Sequence, residues 1–227
     1  MDSLNWAGYV DVDKVKGHIT EVFAEWTIPK ASCPANAPSK TVQVQWAGID
    51  GLGSSTVEQI GTESLCAGPG ATPTYATWWE FFPVDPLHEY RSASAGDLIE
   101  AYVLYDPDIA VGGVTGQYTL TLDDITANYV FTKVGNPASG KDISAECISE
   151  APSTSGGEII PLTDYGTTAF STCDATIGGT FAGIGAYSTV YVIDQISSTS
   201  KPVQLTSGLS RTDYPLDHFT VSWKAYS

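Results

Sequence analysis

The chain has 227 residues, 42% of them hydrophobic and 11% aromatic, which suits one sizeable core and excludes a disordered segment. Ten Lys and Arg stand against 26 Asp and Glu, giving a net charge of -16 and a pI near 4.2, so nucleic acid and anionic membrane are excluded as partners. Self-repulsion at neutral pH is relieved when carboxylates protonate, and an acidic working environment fits that balance.

Taken in order, the chain reads as strands and turns. Asn5–Val10 is a first strand with aromatic anchors. Across His18–Pro29, Val22, Ala24, Trp26 and Ile28 share one face. Three prolines and Cys33 make Pro29–Ser39 a loop, and Thr41–Ile49 is the next strand. It runs into a Gly-rich turn and the stretch Gln45–Gly61, QWAGIDGLGSSTVEQIG, in which Gln59 offers both a donor and an acceptor. Tyr75–Pro83, YATWWEFFP, is aromatic and strand-like and embeds one charge, Glu80. In Asp97–Tyr105, Leu98, Tyr102 and Leu104 alternate with other residues.

Gln117–Leu122 and Asn128–Lys133 form a hairpin around Asp123 and Asp124, and Gly135–Gly140 is a turn. Ser144–Glu150, SAECISE, is a short strand closed by Pro152. Leu162–Cys173 is a loop and strand, and Thr189–Gln195 and His218–Ala225 are the last two strands. In the final one Phe219, Val221, Trp223 and Ala225 share a face. Recurring strands with almost no helical period make this an all-β sandwich or barrel, and the absence of an internal linker makes residues 1–227 one domain.

Cys33, Cys66, Cys147 and Cys173 form no CxxC pair and no zinc-finger spacing. An even count in this composition suits two disulfides and an oxidising compartment, with four reduced core cysteines as the alternative. Cys33–Cys66 with Cys147–Cys173 is the preferred pairing because each closes a local segment. No apolar run is long enough to cross a bilayer. Met1 leads directly into Asp2–Asn5 without a signal peptide, as expected of the mature part of a secreted protein whose propeptide is absent.

Most catalytic chemistries lack their residues. There is no G-x-S-x-G elbow, His18, His88 and His218 sit in unrelated contexts, and the Asp-Thr/Ser-Gly signature of pepsin-like enzymes is missing. The D-x-D pairs Asp11/Asp13 and Asp106/Asp108 do not extend into a calcium loop and read as solvated turn residues, so no metal and no cofactor is expected. Carboxylates in apolar surroundings remain: Glu80 in its aromatic strand, and Glu146 and Glu150 around Cys147, Ile148 and Ser149. By pattern alone Glu80 is equally a solvent-facing residue of an edge strand, and Glu150 a polar strand end.

Together, NWAGYV, QWAGIDG, VEQIG, WWEFFP and SAECISEAPS, in that order, resemble the glutamic peptidases, or eqolisins, from about Asn5 to Pro152, and the ending FTVSWKAY is also similar. The resemblance implies an antiparallel β-sandwich of two large curved sheets, of concanavalin-like or jelly-roll type. It implies a secreted, monomeric acid endopeptidase acting on protein and peptide substrates through a Gln/Glu dyad without metal.

Residue by residue, it implies Gln59 and Glu150 as the catalytic pair and Glu146 as the first acid of the A-E-x-x-x-E segment. Trp46, Asp50, Trp78 and Glu80 are implied to line or support the site. Ala76 stands where fungal members carry Asp, and the loop before Gln59 is one residue shorter than theirs. The VEQIG form is closer to prokaryotic members. An ionised Glu150 at acid pH would require hydrogen bonds that lower its pKa, with Asp50, Glu80 and Glu146 as candidates for the surrounding network. Two rivals compete with this reading. One is a carbohydrate-binding module stacking sugars on Tyr75, Trp78, Trp79 and Tyr90; the other is a glycoside hydrolase pairing Glu80 with Glu150.

Overall fold

A computed structural model describes residues 1–111, 113–137, 139–209 and 217–227. Strands dominate it: β1 (Asp2–Ser3), β2 (Trp6–Val12), β3 (Ile19–Thr27), β4 (Thr41–Ile49), β5 (Val57–Cys66), β6 (Thr74–Phe82), β7 (Asp85–Ser92) and β8 (Leu98–Val111). There follow β9 (Val114–Asp124), β10 (Tyr129–Gly135), β11 (Ser144–Glu150), β12 (Thr167–Ile177), β13 (Thr180–Gly183), β14 (Val190–Ile196), β15 (Pro202–Thr206) and β16 (Phe219–Trp223). The one helical piece among the described residues is a 3-10 turn, Ile184–Ala186.

The strands form two antiparallel layers. One runs β14-β2-β11-β4-β5-β6-β7 and the other β10-β9-β8-β3-β12-β16-β15, joined where β14 pairs with β15. β3 and β8 pack across β4, β5 and β11. Between the layers lie Ile49, Ile60, Trp79 and Phe81 from the first and Trp26, Ile99, Leu120, Leu122 and Phe170 from the second, all buried. Polar bonds cross this core too, from Trp26 Nε1 to Thr62 Oγ1 at 3.0 Å and from Gln45 Nε2 to Thr168 Oγ1 at 2.6 Å. Of the sandwich or barrel expected from the strand pattern, the sandwich is the one present.

Two strands expected from the sequence are bounded differently. The buried residues of β8 are Ile99, Ala101 and Val103, whereas Tyr102 and Leu104 turn outward. The last strand ends at Trp223, which is only partly buried. β5, β7 and β15 were not anticipated.

Both preferred disulfides are formed. Cys33–Cys66 fastens the proline-rich loop to the end of β5, and Cys147–Cys173 ties β11 of one layer to β12 of the other. Asp11 departs from its reading as a solvated turn residue. It lies within β2, fully buried, and accepts a bond from Thr189 Oγ1.

Candidate active site

The first layer has a second, outer face, and the residues implied by the motifs converge on it. Register lines across β2, β11, β4, β5 and β6 place them. One line reads Val10–Glu146–Gly48–Gln59–Glu80, the next Gly8–Ile148–Trp46–Gly61–Trp78, and the third Trp6–Glu150–Val44–Glu63–Ala76. Side chains alternate along a strand, so all three lines point the same way. Gln59 and Glu150 thus share one face, two strands apart, with the Trp46 line between them.

The floor of this face is a separate apolar cluster of Val10, Val42, Val44, Trp46, Val57, Trp78, Ile148 and Ile193. Trp6 packs edge-on against Trp46 with ring centroids 5.1 Å apart. Gly48 makes room for the Trp46 ring to lie along the strand, since a Cβ there would sit 2.7 Å from its Cζ3. That placement carries the indole N–H to Glu150.

Glu150 is half-buried at the end of β11. Its Oε2 accepts from Trp46 Nε1 at 2.8 Å and its Oε1 from Asn5 Nδ2 at 2.9 Å. Burial pushes its carboxyl up to about 7; hydrogen bonds from Trp46, Asn5 and Trp6 pull the other way, and the nearby charge of Glu80 adds to the rise. The lowered value expected of an acid-working base is therefore not what this site gives, because desolvation outweighs the donors. Those donors are two indoles and an amide rather than Asp50, Glu80 or Glu146.

Gln59 is buried, and its Nε2 donates to Glu80 Oε2 at 2.8 Å. Its Oε1 has no partner. That bond fixes which end of the amide is which, leaving the carbonyl and one N–H for something else. Glu80 itself is raised by burial, which outweighs its bond from Gln59. β6 is an inner strand covered by β7, so Glu80 is not on an edge strand.

The other implied residues sit around this pair. Glu146 is in line with Gln59 across Gly48, fully buried, with both oxygens unpartnered; burial holds its carboxyl well above the usual range. Asp50 is wholly engaged elsewhere. Its carboxylate accepts from the backbone N–H of Lys141 (2.6 Å), Asp142 (3.1 Å) and Ile143 (3.1 Å) and from Thr56 Oγ1 (3.2 Å). It ties the approach to β11 to the approach to β5, which supports the strands that carry Glu150 and Gln59 without touching either side chain.

Sequence reading missed Asn5 and Trp6 as site residues, although NWAGYV was the available signal. It also missed Glu63, the cross-strand neighbour of Ala76 on the outer face, whose carboxyl burial pushes up to about 7.

Among the described residues neither a histidine triad nor an open sugar platform is assembled, while the Glu80 and Glu150 carboxylates of the glycoside hydrolase reading do share the outer face. His18, His88 and His218 are exposed and each faces an aspartate close in sequence, Asp13, Asp85 and Asp217. Trp78 and Trp79 are buried, Trp79 stacks on His88, and Tyr90 stacks on Phe131, so these rings present no open platform for sugars.

Comparison with known proteins finds relatives of the same fold. Aspergillopepsin-2 of Aspergillus niger is 27% identical over 200 residues, covering 80% of this chain and 67% of that protein. A crystal structure of scytalido-glutamic peptidase with a transition state analog inhibitor superposes with a TM-score of 0.74 at 23% identity, covering 98% of this chain and 99% of that one. Aspergilloglutamic peptidase from Aspergillus niger gives 0.61 at 25% identity, over 81% of this chain and 99% of its own. The profile of the Peptidase A4 family matches residues 4–214. With the family's profile spanning nearly the whole chain and its fold reproduced in both layers, this chain belongs to the Peptidase A4 family and is a glutamic peptidase, a hydrolase of peptide bonds.

Proposed function

We propose that Gln59 and Glu150 are the dyad of this peptidase and that they activate one water between them. The observation that carries the assignment is the Gln59 amide: Glu80 pins its Nε2 while Oε1 stays unpartnered on the face that Glu150 occupies. In this reading the Gln59 carbonyl orients the water and its second N–H donates to the oxyanion that develops on the scissile carbonyl. The Glu150 oxygens accept from Asn5, Trp46 and Trp6, which leaves one of their four lone-pair sites for the water. Glu150 takes the water's proton as general base and returns it to the leaving amine. The steps balance without a covalent intermediate: water adds to the carbonyl, the C–N bond breaks, and the proton moves from water to Glu150 to nitrogen.

Acid operation then has two boundaries. A carboxyl near 7 is a strong base once ionised, but its ionised fraction falls about tenfold per pH unit below that value. The fold, in contrast, is favoured by acid, because its buried carboxyls are held protonated. The enzyme works where these two ranges overlap.

Residues 1–227 act as one catalytic domain, and a monomer suffices because one chain supplies every proposed site residue. Two disulfides support an oxidising, extracellular setting. No helix among the described residues is long and apolar enough to cross a membrane. The Val57–Gly61 form and Ala76 in place of an acid support a position nearer the prokaryotic members.

The test is a digest of denatured protein at a series of acid pH values, with pepstatin and a chelator present. Wild type should cleave, and Glu150→Gln and Gln59→Ala should each lose nearly all activity while melting near the wild-type temperature. Substantial activity in both purified variants would overturn the assignment.

A further inference from the structure

Behind Glu150, on the core side of β11, a connected set of buried polar groups crosses the sandwich. Its hub is Gln204 on β15. Gln204 Oε1 accepts from Ser149 Oγ at 2.7 Å and from Tyr165 Oη at 2.5 Å. Its Nε2 donates to the Ser149 carbonyl at 3.2 Å and to Gln195 Oε1. All four hydrogen-bonding positions of the amide are thus used. Ser149 Oγ also accepts from Gln43 Nε2 at 3.1 Å, and Gln195 Nε2 donates to the Leu4 carbonyl at 2.9 Å. None of these five side chains is more than 2% exposed.

Burying three primary amides and two hydroxyls costs desolvation that Leu, Val and Phe would not incur, so a network this complete reads as a device for specifying geometry. Its two ends identify the object. Ser149 is peptide-bonded to Glu150, so one branch grips the backbone directly behind the carboxylate. Leu4 is peptide-bonded to Asn5, whose side chain donates to Glu150 Oε1. The Ala151 N–H to Asn5 carbonyl bond, 2.9 Å, closes the circuit.

We infer that Gln204 is a positioning residue for the reaction: through Ser149 on one side and Gln195, Leu4 and Asn5 on the other, it holds the Glu150 carboxylate in register with its donors. The inference rests on Glu150 being the general base, but the geometric claim can be read without activity. A side chain that only fills space behind β11 would affect stability. One that sets the Asn5–Glu150 contact must also affect how Glu150 titrates, because the Asn5 bond favours the ionised form.

The experiment compares wild type, Gln204→Met, Asn5→Ala and the double variant, following the Glu150 carboxyl by carbon NMR titration and the reaction by kcat and KM. The Glu150 midpoint should rise by about half a unit to one unit in each single variant, and by less than the sum in the double. In Gln204→Met, kcat should fall about tenfold to a hundredfold with KM changed by less than about threefold. A midpoint unmoved in Gln204→Met, with activity falling only as far as the loss of folded protein explains, would overturn the inference. Additive shifts in the double variant would do the same. If Gln204→Met does not fold, Gln195→Met cuts only the Leu4 branch and should raise the midpoint alone; an unmoved midpoint there is equally fatal. Should Glu150→Gln retain activity, the dyad reading fails, while the titration still decides the role of Gln204.

Discussion

Trp46 Nε1 lies 2.8 Å from Glu150 Oε2, a charge-assisted hydrogen bond between the neighbouring strands β4 and β11 above an apolar floor. It lets a buried tryptophan do two jobs, packing into the apolar floor and stabilising the ionised carboxylate. Trp46→Phe keeps an aromatic ring and deletes the donor. Losing a bond to a charged group costs about 1.5–3 kcal/mol, so kcat/KM below neutrality should fall about tenfold to a hundredfold. The acid limb of its pH profile should move to higher pH, because the ionised form has lost a stabilising partner. An unshifted limb would mean that Trp46 acts only by packing.

Glu80 gives two substitutions that separate its charge from its anchoring bond. Its charge raises the Glu150 carboxyl, and its Oε2 anchors the Gln59 amide. Glu80→Gln keeps an acceptor and removes the charge, so the acid limb of kcat/KM should move to lower pH wherever Glu80 is otherwise ionised. Glu80→Ala frees the amide to rotate and should lower kcat by about a hundredfold, the scale of a lost oxyanion donor. Both variants lose the charge, so their acid limbs should move the same way and kcat separates them; an equal kcat in the two purified variants would show that Glu80 does not orient Gln59.

Much of the fold was legible because large apolar residues alternate in β3, β4 and β16. β5 was not read as a strand because VEQIGTESLC looks polar. It lies inside the sheet, and its Glu58, Thr62 and Ser64 are buried on the core side with Gln59 and Gly61 on the outer face. Nothing in a periodicity argument separates such a strand from a loop. β7, DPLHEYRS, is an exposed edge strand held by pairing with β6, so it carries almost no apolar signal. Gln59 and Glu150 were legible only through motif order. Asn5 was not, since its contact depends on β2 pairing with β11 across a separation of 145 residues.

The two disulfides should differ in what they protect. Their sequence separations, 33 and 26, correspond to similar loop-closure terms of about 3–4 kcal/mol each. Cys147 lies on β11 three residues before Glu150 and bridges the layers, whereas Cys33–Cys66 anchors a peripheral loop. A Cys147→Ala/Cys173→Ala variant should therefore lose kcat as well as stability, and Cys33→Ala/Cys66→Ala mainly stability. Denaturant melts and kcat, measured where each variant is fully folded, test the contrast; equal kcat losses would refute it.

Stability should fall as pH rises, and Glu58 is the place to see it. Its side chain is fully buried with both oxygens unpartnered, and burial, with Asp50 and Asp142 nearby, pushes it up to about 9. Burial also raises Asp142 and Asp174 to about 6 each and lifts Glu146 well above its ordinary value. Every one of these groups binds its proton more tightly folded than unfolded. Their contribution is therefore complete below the unfolded carboxyl range, near pH 4, and is lost progressively as pH rises toward the folded values. The melting temperature should be highest in acid and decline from about pH 4 through 9, with the -16 net charge adding to the decline. Glu58→Met removes one such group without leaving a buried polar atom. It should cost little in acid, raise the melting temperature at neutral pH, and flatten the slope of stability against pH. Thermal melts of both proteins across that range measure the slope directly, and an unchanged slope in Glu58→Met would show that Glu58 takes no part in the pH dependence.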